Sequence, residues 1–171
     1  MTYYCDLAQQ AIEKYIKEGK VLSVPKEIPV EFKKKAGVFV TIFNKGELRG
    51  CVGTYLPTKA NLVQEIIDNA ISAAVHDWRF DPVAKKELSQ LSYEVSILSK
   101  PELIKDIKKL NPKKFGIIVK GQTSGHSALL LPDLEDLDTI EKQLTACLTK
   151  AGINSEEEKI AIYRFKAIKH R

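Results

Sequence analysis

The chain has 171 residues, 44% of them apolar and 29% charged, a balance that suits a soluble globular domain with its own core and excludes a disordered or membrane-spanning chain. Its net charge of +5 and pI near 9.0 would suit a polyanionic partner. The lysines nevertheless fall in scattered clusters, at Lys33–Lys35, Lys108-Lys109, Lys113-Lys114 and Lys169 before Arg171, without the interleaved aromatics that stack bases, so nucleic acid ranks last among expected partners.

Leu7, Ala8, Ala11, Ile12, Tyr15 and Ile16 recur on one helical face, and Gly19 supplies a stop, which predicts a first amphipathic helix. Its acidic residues Asp6, Glu13 and Glu18 are foreign to a secretory leader, so the cytoplasm is the expected compartment, without membrane contact. Val21 to Lys35, with Pro25 and Pro29, reads as an extended connector. Val38 to Phe43 and Glu47 to Thr54 flank the turn residues Asn44-Lys45-Gly46 and predict a hairpin. Asn61, with Gln64 three residues on, can cap a helix whose face is Leu62, Val63, Ile66, Ile67, Ala70, Ile71 and Ala74.

Leu91, Tyr93, Val95 and Ile97 alternate with Ser92, Glu94 and Ser96, which predicts a strand with one apolar face. Lys105 to Pro112 reads as a polar connection with a helical turn. A second hairpin is expected from Phe115–Lys120 and Ala128–Leu131 around the loop Gly121–His126. Asp138 with Glu141 can open a helix carrying Ile140, Leu144, Cys147, Leu148 and Ala151 and closed by Gly152. Ser155 with Glu156 to Glu158 reads as a helical turn, and Tyr163, Phe165 and Ala167 as the apolar face of a closing strand. Strand pairs mixed with helices, without regular βαβ alternation, argue an α+β fold with a mixed, largely antiparallel sheet and packed helices in one domain over 1–171.

The densest chemistry lies in Leu48-Arg49-Gly50-Cys51-Val52-Gly53-Thr54. On a strand, Arg49 and Cys51 point to one face, and a fixed cation beside a thiol favours the thiolate. Cysteine is equally at home as a small core residue, and strand glycines mark close crossings, so site and packing readings both stand. His76-Asp77-Trp78-Arg79-Phe80-Asp81-Pro82 has a similar ambiguity. Arg79 can bridge Asp77 and Asp81 in a knot anchored by Trp78 and Phe80, or can face an anion. Asp77, Asp81 and Glu94 would matter for a metal only by converging in space. Nucleotide, lipase-like and zincin motifs are missing, and Cys5, Cys51 and Cys147 are widely spaced without a zinc pattern. Reduced thiols are expected, with no cofactor and no metal. A Cys–His dyad would need His76 or His126 beside Cys51, since His170 lies in the terminal stretch.

Taken in order, Leu48–Thr54, Asp77–Val83, Glu94–Leu98 and Leu129-Leu130-Leu131-Pro132 closely resemble the AMMECR domain family, also called AmmeMemoRadiSam system protein A. The resemblance implies a two-lobed α+β fold with residues 48–54 lining a groove between the lobes. The family has no settled reaction. Its prokaryotic genes often accompany those of a Memo-like protein and a radical SAM protein, which implies those two as partners in a shared pathway. Carried onto this chain, the signature positions are Arg49, Gly50, Cys51, Gly53 and Thr54, with Asp77, Arg79, Phe80 and Glu94 as neighbours. Trp78 and Asp81 stand where the family usually has prolines, and Phe115 where histidine is common. The expected function is a groove for a small anionic molecule or a peptide end, with Cys51 as nucleophile or carrier and Arg49 as anion anchor. The alternatives are a non-catalytic interaction module and, more weakly, nucleic-acid binding.

Overall fold

The apolar face of the first helix is buried as its spacing requires: in α1 (Tyr3–Glu18), Leu7, Ala8, Ala11 and Ile12 lie in the core. Gly19 ends it in the left-handed region at φ 68°, its N–H on the Tyr15 carbonyl. In chain order there follow β1 (Val38–Asn44), β2 (Glu47–Thr54), α2 (Leu62–Val75), β3 (Leu91–Leu98), β4 (Glu102–Ile104), β5 (Gly116–Gly121), β6 (Ser127–Leu130), α3 (Ile140–Ala151), β7 (Ile160–Phe165) and β8 (Ala167–His170). The computed structural model describes residues 2–171, which are α+β and divide into two compact units, one running to Leu98 and including Ile168–Arg171, the other Ser99–Ala167. Among the described residues no helix is long and apolar enough to cross a membrane.

In the first unit the strand order is β2-β1-β3-β8. The hairpin turn narrows to Lys45 and Gly46, both at positive φ (52° and 88°), the conformation whose twist matches that of the flanking strands. Ile42 pairs with Gly50 and Phe43 with Leu48, so Arg49 is the extra residue of a bulge. Val38, Val40 and Ile42 of β1 join Val95 and Ile97 of β3 beneath the apolar face of α2. Asn61 caps that helix as expected, accepting the Gln64 N–H at 3.0 Å. On β3 the expected polar face is covered as well: Glu94 and Ser96 are buried. The carboxylate tolerates this because Arg171 Nε donates to it at 2.6 Å.

The second unit packs α3 on a sheet of order β4-β7-β5-β6, around Ile117, Val119, Cys147, Ile153 and Ile162. Three local expectations change. The α3 cap is Thr139, whose hydroxyl accepts the Lys142 N–H at 3.2 Å, while Asp138 instead pairs with the Lys142 ammonium. Strand β4 is too short to show a period, and only its pairing with β7 reveals it. The closing stretch is two strands in different sheets, and Ile160 and Ile162 meet the core beneath α3, whereas Phe165 lies over Gly116.

The end of β2 is tied to α2 by Glu65, a carboxylate only 1% exposed. It accepts from Thr54 Oγ1 (2.6 Å), the Thr58 N–H (2.8 Å) and hydroxyl (3.0 Å), and the Lys59 N–H (2.8 Å). Burial opposes its charge, but these donors together outweigh it and keep the acid below the ordinary range. Glu65→Ala would strip two backbone donors of their partner and is expected to cost about 2 to 3 kcal/mol, read from the urea midpoint at unchanged slope. A loss under about 0.5 kcal/mol would show that water serves those donors equally well.

Candidate functional site

Because β2 is an edge strand, every second residue turns its N–H and C=O away from β1. At Cys51 those outward groups are met by side chains. Its N–H donates to Asp77 Oδ2 at 2.8 Å, and Arg79 Nη2 approaches its carbonyl oxygen at 3.4 Å. The carboxylate and guanidinium are themselves paired, Nε to Oδ1 at 2.9 Å and Nη2 to Oδ2 at 2.7 Å. Together they occupy the hydrogen-bonding positions that a neighbouring strand would fill. The pair reaches the strand because α2 ends at Val75, His76 caps it, and the chain turns with the Phe80 N–H on the Asp77 carbonyl.

Asp77 is buried, and its carboxyl is held down to about 2, chiefly by Arg79, with burial opposing and the Cys51 N–H assisting. The expected bridge to Asp81 is not made: Asp81 is exposed outside the pair. Nor does Trp78 anchor the loop, since it is 91% exposed. Phe80 does contribute, with the guanidinium carbons of Arg79 and Arg49 at 5.4 and 5.9 Å from its ring centre.

Arg49 turns to Glu87, Nε to Oε1 at 2.7 Å and Nη2 to Oε2 at 3.1 Å, with only 16% of its side chain exposed. Glu87, in the 3-10 turn Lys85–Gln90, is held to about 2 first by Arg49, against burial, and further by the Ala84 N–H and Asn44. Sequence reading misses Glu87, because nothing local marks a residue 38 positions away as the partner of a bulged arginine.

The glycines serve close packing. A Cβ at Gly50 would sit inside the Ala73 carbonyl oxygen, and one at Gly53 inside the Val38 carbonyl and the Phe39 ring. Thr54 is held by Glu65. On the face of β2 that carries Cys51, register aligns Cys51, Thr41 and Glu94 across three strands. Thr41 Oγ1 donates to Cys51 Sγ at 3.3 Å, a contact the sequence could supply only once the hairpin register was counted. Cys51 is half-buried; Cys5 and Cys147 are fully buried. His76 and His126 are exposed, the latter in the second unit, and His170 stacks on Tyr4 at 4.0 Å. Asp77, Asp81 and Glu94 do not converge: among the described residues no three metal-ligating side chains gather, and Asp77 and Glu94 each face an arginine.

This geometry belongs to a chain whose residues 5–170 match the AMMECR1 family model. The protein is therefore a member of the AMMECR1 family. A protein of Thermotoga maritima is 48% identical over 98% of this chain and 97% of its own length, and one of Clostridium acetobutylicum is 39% identical over 98% of this chain but 36% of its own. The crystal structure of an uncharacterized protein from Pyrococcus horikoshii superposes with a TM-score of 0.89 at 36% identity, covering 98% of this chain and 88% of that one.

Asp77 and Glu87 are both more acidic folded than unfolded, so each stabilises the fold above its ordinary pKa of about 4 and loses that contribution as pH falls from about 5 toward 2. Discounted for the half-exposed Arg79, the Asp77 contribution is expected to be about 1 to 2 kcal/mol. Urea midpoints across that range should fall less steeply in Asp77→Asn than in the parent, and parallel curves would refute the assignment.

Proposed function

We propose that the protein acts through the Cys51 thiol, on a small anionic molecule or a peptide end that Arg79 orients. The observation that carries this reading is a half-buried cysteine whose sulfur has a hydroxyl donor, Thr41, on it and whose carbonyl oxygen has the Arg79 guanidinium beside it. Arg79 holds its proton more firmly because of Asp77, against burial, so the cation beside Cys51 is permanent, and a fixed cation near a thiol favours its thiolate. Arg79 takes over the anchoring role from Arg49 in this reading, being 41% exposed where Arg49 is enclosed with Glu87. Gly53 follows Cys51 on the same strand and Phe80 lies beside the arginine, Gly50 and Thr54 hold the strand against α2, and Glu94 lies on the same sheet face as the sulfur. Cys147 cannot compete, since burial pushes its thiol up to about 11.

A second reading, a non-catalytic module that docks a Memo-like protein or a radical SAM enzyme, draws on Trp78, whose indole is 91% exposed. It expects Trp78→Ala to abolish binding of a purified Memo-like protein.

Iodoacetamide labelling of the native protein tests the thiol reading. One thiol is expected to react, with an apparent pKa below the free-thiol value of about 8.5. Arg79→Gln and Thr41→Val should each move it upward, and Thr41→Ser should restore it. An unreactive Cys51, or one titrating at or above about 8.5, ends this reading.

A further inference from the structure

The edge of β2 carries one more consequence. Backbone direction alternates along an antiparallel pair, so Gly53, two residues past Cys51, also turns its N–H and C=O away from β1. Among the described residues no side chain or loop takes these groups as Asp77 and Arg79 take those of Cys51. Gly53 is only half-buried, so a donor and an acceptor in strand geometry face outward beside a filled position. A strand laid against Gly53 cannot run on past Cys51, because the Asp77–Arg79 pair stands there as a wall; it must end or turn away. In that wall the half-exposed guanidinium of Arg79 is open to a ligand, its Asp77 contacts using Nε and Nη2 and leaving Nη1.

We propose that this edge binds the carboxyl-terminal end of an extended peptide, paired antiparallel to β2 at Gly53 with its terminal carboxylate on Arg79. A carboxylate fits and an ammonium does not, because the outward charge is cationic. The direction follows as well: a chain that ends at Cys51 and extends toward Tyr55 and Leu56 runs opposite to β2, and antiparallel pairing lets one ligand residue exchange both bonds with Gly53. Tyr55 and Leu56, 43% and 47% exposed, offer the apolar surface next along the chain. This deepens the reading above by naming the ligand class, and rests on it for the role of Arg79.

The test titrates the full chain with acetyl-Ala-Val-Ala-Val bearing a free carboxylate and with its carboxamide, followed by two-dimensional amide NMR and by the fluorescence of Trp78, the single tryptophan. The free acid should shift the Gly53 amide and bind at least about tenfold more tightly than the carboxamide, the factor expected for one charge-assisted hydrogen bond. Arg79→Gln should erase that difference, and because the carboxamide makes the same comparison on the unaltered protein, the test survives a variant that fails to fold. Equal binding of the two peptides, or no movement of the Gly53 amide with either, overturns the proposal. Failure here with a reactive Cys51 removes the peptide and leaves the thiol; an inert Cys51 with peptide bound does the reverse.

Discussion

The hydrogen bond from the Cys51 N–H to the buried Asp77 carboxylate is the constraint on which the site depends. An edge strand exposes alternate backbone groups, and an exposed edge invites pairing with another chain. Here one carboxylate and one guanidinium close the edge at a single residue. The closure fixes the backbone of the cysteine, places a cation beside it, and ties the loop after α2 to the sheet. Arg49 and Glu87 form a second carboxylate–guanidinium pair at the bulge just before it, and Phe80 lies near both guanidiniums. Each carboxylate is well matched by donors, which is why charges this enclosed do not destabilise the fold.

Gly50 is what allows the helix to come near enough. With the Ala73 carbonyl lying where a Cβ would stand, any larger residue would push the end of α2 away from β2. Asp77 begins two residues after that helix ends, so the same displacement would lift the carboxylate off the Cys51 amide. Glycine, aspartate and arginine are thus parts of one geometric requirement even though Gly50 and Asp77 lie 27 positions apart. That is the physical content of finding these blocks together in one chain.

Much of the fold was legible because its elements are strongly periodic and punctuated. The helix stop at Gly19, the Asn61 cap and the first hairpin lie where spacing and turn chemistry put them. What escaped depended on tertiary contact. Glu94 and Ser96 read as solvent-facing because period-2 alternation cannot tell a strand covered once from one covered twice. Thr139 caps α3 where Asp138 was expected, because both are good capping residues and only backbone geometry chooses between them. In the site, same-face placement of Arg49 and Cys51 was a sound inference from a regular strand, but the bulge at Arg49 and the distant Glu87 took its guanidinium elsewhere. Arg79 and Thr41 became central for reasons of register and turn geometry that no local motif encodes.

The electrostatics at Cys51 follow from where the charges cancel and where they do not. Asp77 and Arg79 form a neutral pair, so at a distance the site has almost no field from them. Close to the sulfur the pair is a dipole. Its negative end is buried against the Cys51 amide, and its positive end is half open to solvent on the carbonyl side of the same residue. A thiolate there would gain from the near cation and from the Thr41 hydroxyl while the carboxylate is screened by the donors it already serves. Short-range donors rather than net charge therefore dominate the surroundings of this cysteine. The overall charge of +5 is spread over the surface and is largely screened at the distances that separate it from the sulfur.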